Sequence, residues 1–117
     1  MADNFAAYLP HIDVNDGKAR VMDNFELYKK LLGKFKGREM ADELISAVNG
    51  GDTPKVIQVA HALRGTAGNL GFPILNEVTE KIEVLAKGGE SSAHLIEPLN
   101  DAIKALEEAI AQLVAPA

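Results

Sequence analysis

Apolar residues in this chain recur at spacings of three and four, and that period decides the fold class before any motif is considered. Val56, Val59, Ala60, Leu63, Ala67 and Leu70 fall on one face of a helix. Leu75, Val78, Ile82 and Leu85 repeat the pattern further on, as do Leu95, Leu99, Ile103, Leu106, Ile110 and Leu113 toward the end. No convincing alternation of apolar and polar residues marks a strand. Glycine and proline punctuate the helical stretches at Asn49-Gly50-Gly51, at Gly71 before Pro73, and at Gly88-Gly89. A chain of 117 residues is long enough to bury one core, so a single domain over residues 1–117 is expected. The expected architecture is all-α: an antiparallel four-helix bundle with one or two short additional N-terminal helices.

The limits of the elements follow from capping and breaking residues. A short helix is expected over residues 4–9, stopped by Pro10, and another turn or two over residues 15–22. Asn24 is a good N-cap for the first long helix, whose Phe25, Tyr28, Leu31, Leu32 and Phe35 form a stripe and which Gly37 ends. The next helix runs over about residues 39–48, with Met40, Ala41, Leu44 and Val48 inward. Thr53 is expected to cap the third, with Pro54 at its first position, where a missing N–H does no harm. The fourth begins near Pro73. Within the last, over roughly residues 92–114, Pro98 either kinks the helix or marks where its regular part starts.

Composition excludes several classes of function. The chain has no cysteine, which rules out a disulfide framework, a thiolate nucleophile and any zinc site built on sulfur, and fits a reducing cytoplasm. A net charge of -5 without a block of lysine and arginine argues against nucleic-acid binding. No apolar run approaches the roughly 18 residues of a membrane span, and no signal-peptide pattern opens the sequence. A cytoplasmic location is expected. The frame from Met1 to Ala117 fits a free-standing protein or one domain of a longer one.

One histidine stands apart. At about 100° per residue, His61 falls about 140° from the core direction of its helix, so its ring is expected in water. Gly65 and Gly68 lie close to it in angle, as does Ile57 one turn earlier, and Arg64 flanks them. Each glycine inside a helix costs roughly 1 kcal/mol relative to alanine. Two beside one imidazole indicate a surface kept bare for an approaching partner. Imidazole is a good nucleophile at neutral pH, with one nitrogen lone pair free. A phosphoryl group in a loose, in-line transition state needs positioning and positive charge more than covalent help. Arg64, one turn on, offers a planar fork of donors for phosphoryl oxygens. The Gly65, Gly68, Gly71 run has the wrong spacing for a nucleotide loop and follows no strand. No base partner, metal set or cofactor loop suggests an enzyme with its own turnover.

The motif His61-x-Leu63-Arg64-Gly65-x-Ala67-x-x-Leu70-Gly71 resembles the signature of histidine-containing phosphotransfer (HPt) domains. Upstream, Ile12-Asp13-Val14, Gly17-x-Ala19-Arg20 and Leu27-Tyr28-x-x-Leu31-Leu32-x-x-Phe35 are similar to the family's lead-in; downstream, so is Leu75-x-x-Val78-x-x-Lys81-Ile82-Glu83. The likeness spans about residues 12–87. It implies a monomeric bundle in a multistep His–Asp phosphorelay, whose partners are response-regulator receiver domains and hybrid histidine kinases. His61 would be phosphorylated, Arg64 would stand where the family usually has lysine, and Gly65 would admit the partner. No cofactor is implied for this chain, since the Mg2+ and most of the catalytic machinery belong to the receiver.

Gly71-Phe72 followed by Leu75 and Thr79 is also similar to the phosphotransfer domain of chemotaxis histidine kinases, a variant of the same chemistry. A module that binds a receiver without carrying phosphate is the rival from another class. His11 and His94 match no motif and are read as surface residues; the three histidines lack the spacing of bundle metal sites. Glu77, Glu80, Glu83, Glu107 and Glu108 are read as a solvated face. Phe5, Tyr8 and Leu9 are expected to cap the core, or, with Ile57, Gly68 and Phe72, to contribute to a receiver-docking patch around His61.

Overall fold

A computed structural model describes residues 8–114, and every regular element among them is helical. Tyr8–His11 form a turn in which the Tyr8 carbonyl accepts from the N–H groups of His11 and Ile12 at 3.1 and 2.9 Å. Most of the helix expected over residues 4–9, Phe5 included, lies outside the described residues.

Six α-helices follow. Helix α1 (Val14–Ala19) is capped by Asp13, whose side chain accepts from the Asp16 N–H at 3.1 Å. Helix α2 (Phe25–Gly33) is capped as expected by Asn24, which accepts from the Leu27 N–H at 3.0 Å. It ends four residues earlier than Gly37 would have it. Phe35 leaves the helical path, and its ring meets Phe72 edge to face with centroids 5.0 Å apart. A Cβ at Gly37 would overlap the Phe35 ring. Gly37 therefore makes room for that ring and opens helix α3 (Gly37–Asn49) instead of closing α2.

Helix α4 (Thr53–Leu70) takes its N-cap from Asp52, which accepts from the Lys55 N–H at 3.3 Å. Thr53 is thus the first helical residue and Pro54 the second. A carboxylate is at least as good an acceptor here as a hydroxyl and favours the positive end of the helix. Val56, Val59, Ala60, Leu63, Ala67 and Leu70 are buried, which is the face the periodicity selects. Gly71 ends α4 with φ of 77°, and a Cβ there would stand 2.5 Å from the Asp13 carbonyl oxygen. Only glycine fits such a left-handed, crowded position.

Helix α5 (Pro73–Lys87) follows directly. A 3-10 turn (Ala93–Leu95) then leads into helix α6 (Ile96–Val114). Pro98 falls in the first turn of α6, where its missing N–H removes no intrahelical bond.

Helix α3 packs on α4, α4 on α5, α5 on α6, and α6 returns to α3. The core they share includes Leu44, Ala60, Leu63, Ile82, Leu99 and Ile103, all essentially inaccessible. Helix α2 covers α6 and α4, and α1 packs on both α2 and α4. Tyr28 ties that corner together. Its hydroxyl donates to the Leu70 carbonyl at the end of α4, and Gly17 leaves room for its ring. Burial raises the Tyr28 phenol above its ordinary range, with the Asp13 and Asp16 carboxylates adding to the effect. None of the helices among the described residues is long and apolar enough to cross a membrane.

Candidate functional site

The site is built where α4 and α5 lie side by side. Helix α4 turns its apolar face to the core, which leaves His61 on the opposite side with its side chain 66% exposed. Helix α5 buries Leu75, Val78, Ile82 and Ala86. Thr79 and Glu83, four residues apart, border this seam and are buried with it. Thr79 satisfies its hydroxyl within its own helix, donating to the Leu75 carbonyl at 2.8 Å. Glu83 cannot do so, and its carboxylate is turned toward α4.

There it meets three basic side chains. His61 Nδ1 lies 3.1 Å from Glu83 Oε2. Lys87, one turn along α5, places Nζ 2.9 Å from the same oxygen. Arg64 places Nε 3.2 Å from Oε1, and its guanidinium also lies 3.4 Å from His61 Nδ1. A carboxylate ion only accepts hydrogen bonds, so the pairing assigns the neutral ring's proton to Nδ1. The lone pair is then on Nε2. Burial alone pushes the Glu83 carboxyl up, but the contacts with Lys87 and His61 and the charges of Arg64 and Lys87 outweigh it and hold the group below its ordinary 4.5. Glu83 is therefore ionised at neutral pH although only 3% exposed.

This arrangement corrects the reading of Glu83 as part of a solvated face. Glu77, Glu80, Glu107 and Glu108 are exposed as expected. The signal for Glu83 is its phase once Ala86 is taken into the seam. At 100° per residue it falls about 95° from the middle of the Leu75, Val78, Ile82 and Ala86 seam, against about 145–155° for Glu77 and Glu80; with Leu85 in place of Ala86, Glu83 and Glu77 both fall about 120° away and the distinction is lost. Lys87, at the i+4 position, is the second participant that the sequence reading did not single out.

The other expected site residues are placed variously. Gly65 is exposed, and a Cβ there would meet nothing within 4 Å, so no packing demand explains its lack of a side chain. Gly68 is half-buried; a Cβ would stand 3.4 Å from Asn76 Nδ2, and the same amide nitrogen donates to the Arg64 carbonyl at 3.3 Å. Ile57 and Tyr8 are half-buried against the core. Phe72 does not belong to a docking patch. It is 1% exposed, because the tight exit from α4 turns its ring inward onto Phe35. His94 is exposed as expected, whereas His11 is half-buried, its Nδ1 shielded from water without a hydrogen-bond partner among the described residues; among those residues no group of three or more His, Cys, Asp or Glu is placed to hold a metal ion.

The site is thus an exposed imidazole on a helical scaffold, its inner nitrogen paired with a buried carboxylate. The family model of the Hpt domain matches residues 35–115, well over half of the chain and the whole of this site. The chain belongs to the Hpt domain family, and so to histidine phosphotransfer in two-component signalling, where such domains interact with receiver domains and kinases. No curated protein and no solved structure gave a match.

Proposed function

We propose that His61 accepts a phosphoryl group from the aspartyl phosphate of one receiver domain and passes it to the aspartate of another, in a multistep His–Asp phosphorelay. The observation that carries this reading is the 3.1 Å pairing of His61 Nδ1 with Glu83, which directs the free lone pair of Nε2 outward. In the forward step the Nε2–P bond forms as the P–O bond to the donor aspartate breaks. The aspartate leaves as a carboxylate with the bonding electron pair. No proton has to be lost: the ring keeps its Nδ1 proton and becomes cationic, and Glu83 balances that charge as a carboxylate does beside an imidazolium. The return step reverses these changes on the second receiver.

Arg64 supplies positive charge and donors for the phosphoryl oxygens. Gly65 leaves the approach open, and Gly68, Ile57 and Tyr8 border it. The chain is a carrier without turnover of its own, needs no cofactor, and acts as a cytoplasmic monomer of one domain. The closed ring of α3 to α6 supports an antiparallel four-helix bundle.

Incubation with a phosphorylated receiver tests the reading. Acid-labile label should appear on the protein and be absent from His61→Gln. Stable binding without transfer would instead support a receiver-blocking module.

A further inference from the structure

Four side chains form the site cluster, and their charges do not cancel. Glu83 is one buried carboxylate, faced from α4 by Arg64 and His61 and from its own helix by Lys87. Two permanent cations thus share one anion, leaving a surplus of one positive charge. A phosphoryl group on Nε2 brings a charge of about -2 and makes the ring cationic, which would bring the cluster to neutrality. Neutrality alone does not place Arg64 on the phosphoryl oxygens, however. A buried carboxylate stripped of its counter-ion is strongly unfavourable. Were Arg64 the only cation on Glu83, it could not move outward freely.

We propose, on the basis of the phosphocarrier reading, that Lys87 is a positioning residue: it is the stationary counter-ion of Glu83 and so frees Arg64 to turn to the phosphoryl group. The geometry divides the two cations accordingly. Lys87 makes the shorter contact, 2.9 Å, on the same oxygen that holds His61. Arg64 faces Oε1, which accepts no hydrogen bond among the described residues, and already lies beside the imidazole. Lys87 is on α5 and Arg64 on α4, the helix that carries the nucleophile.

The test measures phosphoryl transfer to wild type, Lys87→Gln, Lys87→Arg, Glu83→Gln and the double variant Glu83→Gln/Lys87→Gln. The donors are phosphoramidate, which needs no partner protein, and a phosphorylated receiver. Lys87→Gln should slow transfer from both donors by about tenfold, the equivalent of one charge-assisted contact, and Lys87→Arg should restore most of the rate. On the neutral Glu83→Gln background, Lys87→Gln should change nothing further, because no buried anion then needs a fixed partner. A Lys87→Gln variant as fast as wild type overturns the assignment. So does a loss of equal size on the Glu83→Gln background, which would mark Lys87 as a general attraction for an acidic donor. If Lys87→Gln fails to fold, the Lys87→Arg and double variants carry the same comparison. Wild type that takes no label from either donor overturns the phosphocarrier reading itself, and this inference with it; a labelled wild type with the wrong Lys87 pattern overturns this inference alone.

Discussion

Glu83 is the residue that turns an exposed histidine into an oriented one. A free surface imidazole rotates and exchanges its proton between two nitrogens. Here a buried carboxylate lies 3.1 Å from one ring nitrogen, and on the phosphocarrier reading it would fix the tautomer and balance the ring when that becomes cationic. Replacing Glu83 by Gln keeps an acceptor for Nδ1–H but removes the charge. The expected outcome is a transfer rate lower by about tenfold, since a neutral hydrogen bond in place of a charge-assisted one forfeits roughly 1.4 kcal/mol in the transition state. Stopped-time labelling of the purified variant checks this, and an unchanged rate would remove Glu83 from the mechanism. Arg64→Ala should also slow transfer while leaving helical content intact, because Lys87 still compensates Glu83.

At the scale of the element, two glycines of α4 do opposite work. Gly65 has helical geometry and open space around its missing Cβ. Gly65→Ala should therefore raise stability to denaturant by about 0.5–1 kcal/mol, while a large side chain such as Leu at the same position should leave the fold intact and block transfer from a receiver. Unhindered transfer by Gly65→Leu would refute the access role. Gly71 is required by the chain itself. Its φ of 77° and the Asp13 oxygen 2.5 Å from a Cβ make Gly71→Ala destabilising, by more than the roughly 1 kcal/mol of a left-handed non-glycine residue alone. Thermal or urea unfolding of the two alanine variants should shift in opposite directions.

For the molecule as a whole, the buried carboxylate couples stability to pH. The carboxyl of Glu83 is depressed in the folded chain relative to its ordinary 4.5. The unfolded state then binds the proton more readily, so Glu83 contributes stability above pH 4.5 and loses that contribution as pH falls through the lowered folded value. Wild type should lose stability more steeply than Glu83→Gln as the pH drops below about 4.5; parallel curves would show that Glu83 is not the coupled group.

Much of this molecule was legible in its sequence, because amphipathic helices declare their buried face. All six buried apolar positions of α4 follow from spacing alone, and His61 follows as their opposite. What sequence spacing could not supply were contacts set by neighbouring elements. Phe35 and Phe72 share a stripe and a motif with other residues, yet their fate was decided by each other across two connections. Glu83 sat on the border of its seam, where only the position of α4 determines whether a side chain meets water or protein. Asp52 and Thr53 are both good caps, and one residue of register chose between them.

The His61–Glu83 contact joins residues only 22 apart, on consecutive helices, whereas the Arg38–Asn100 hydrogen bond spans 62. Closing the smaller loop sacrifices less chain freedom. Nascent polypeptide emerging from a ribosome would have its reactive pair in hand once this hairpin formed, ahead of the longer-range closure by α6.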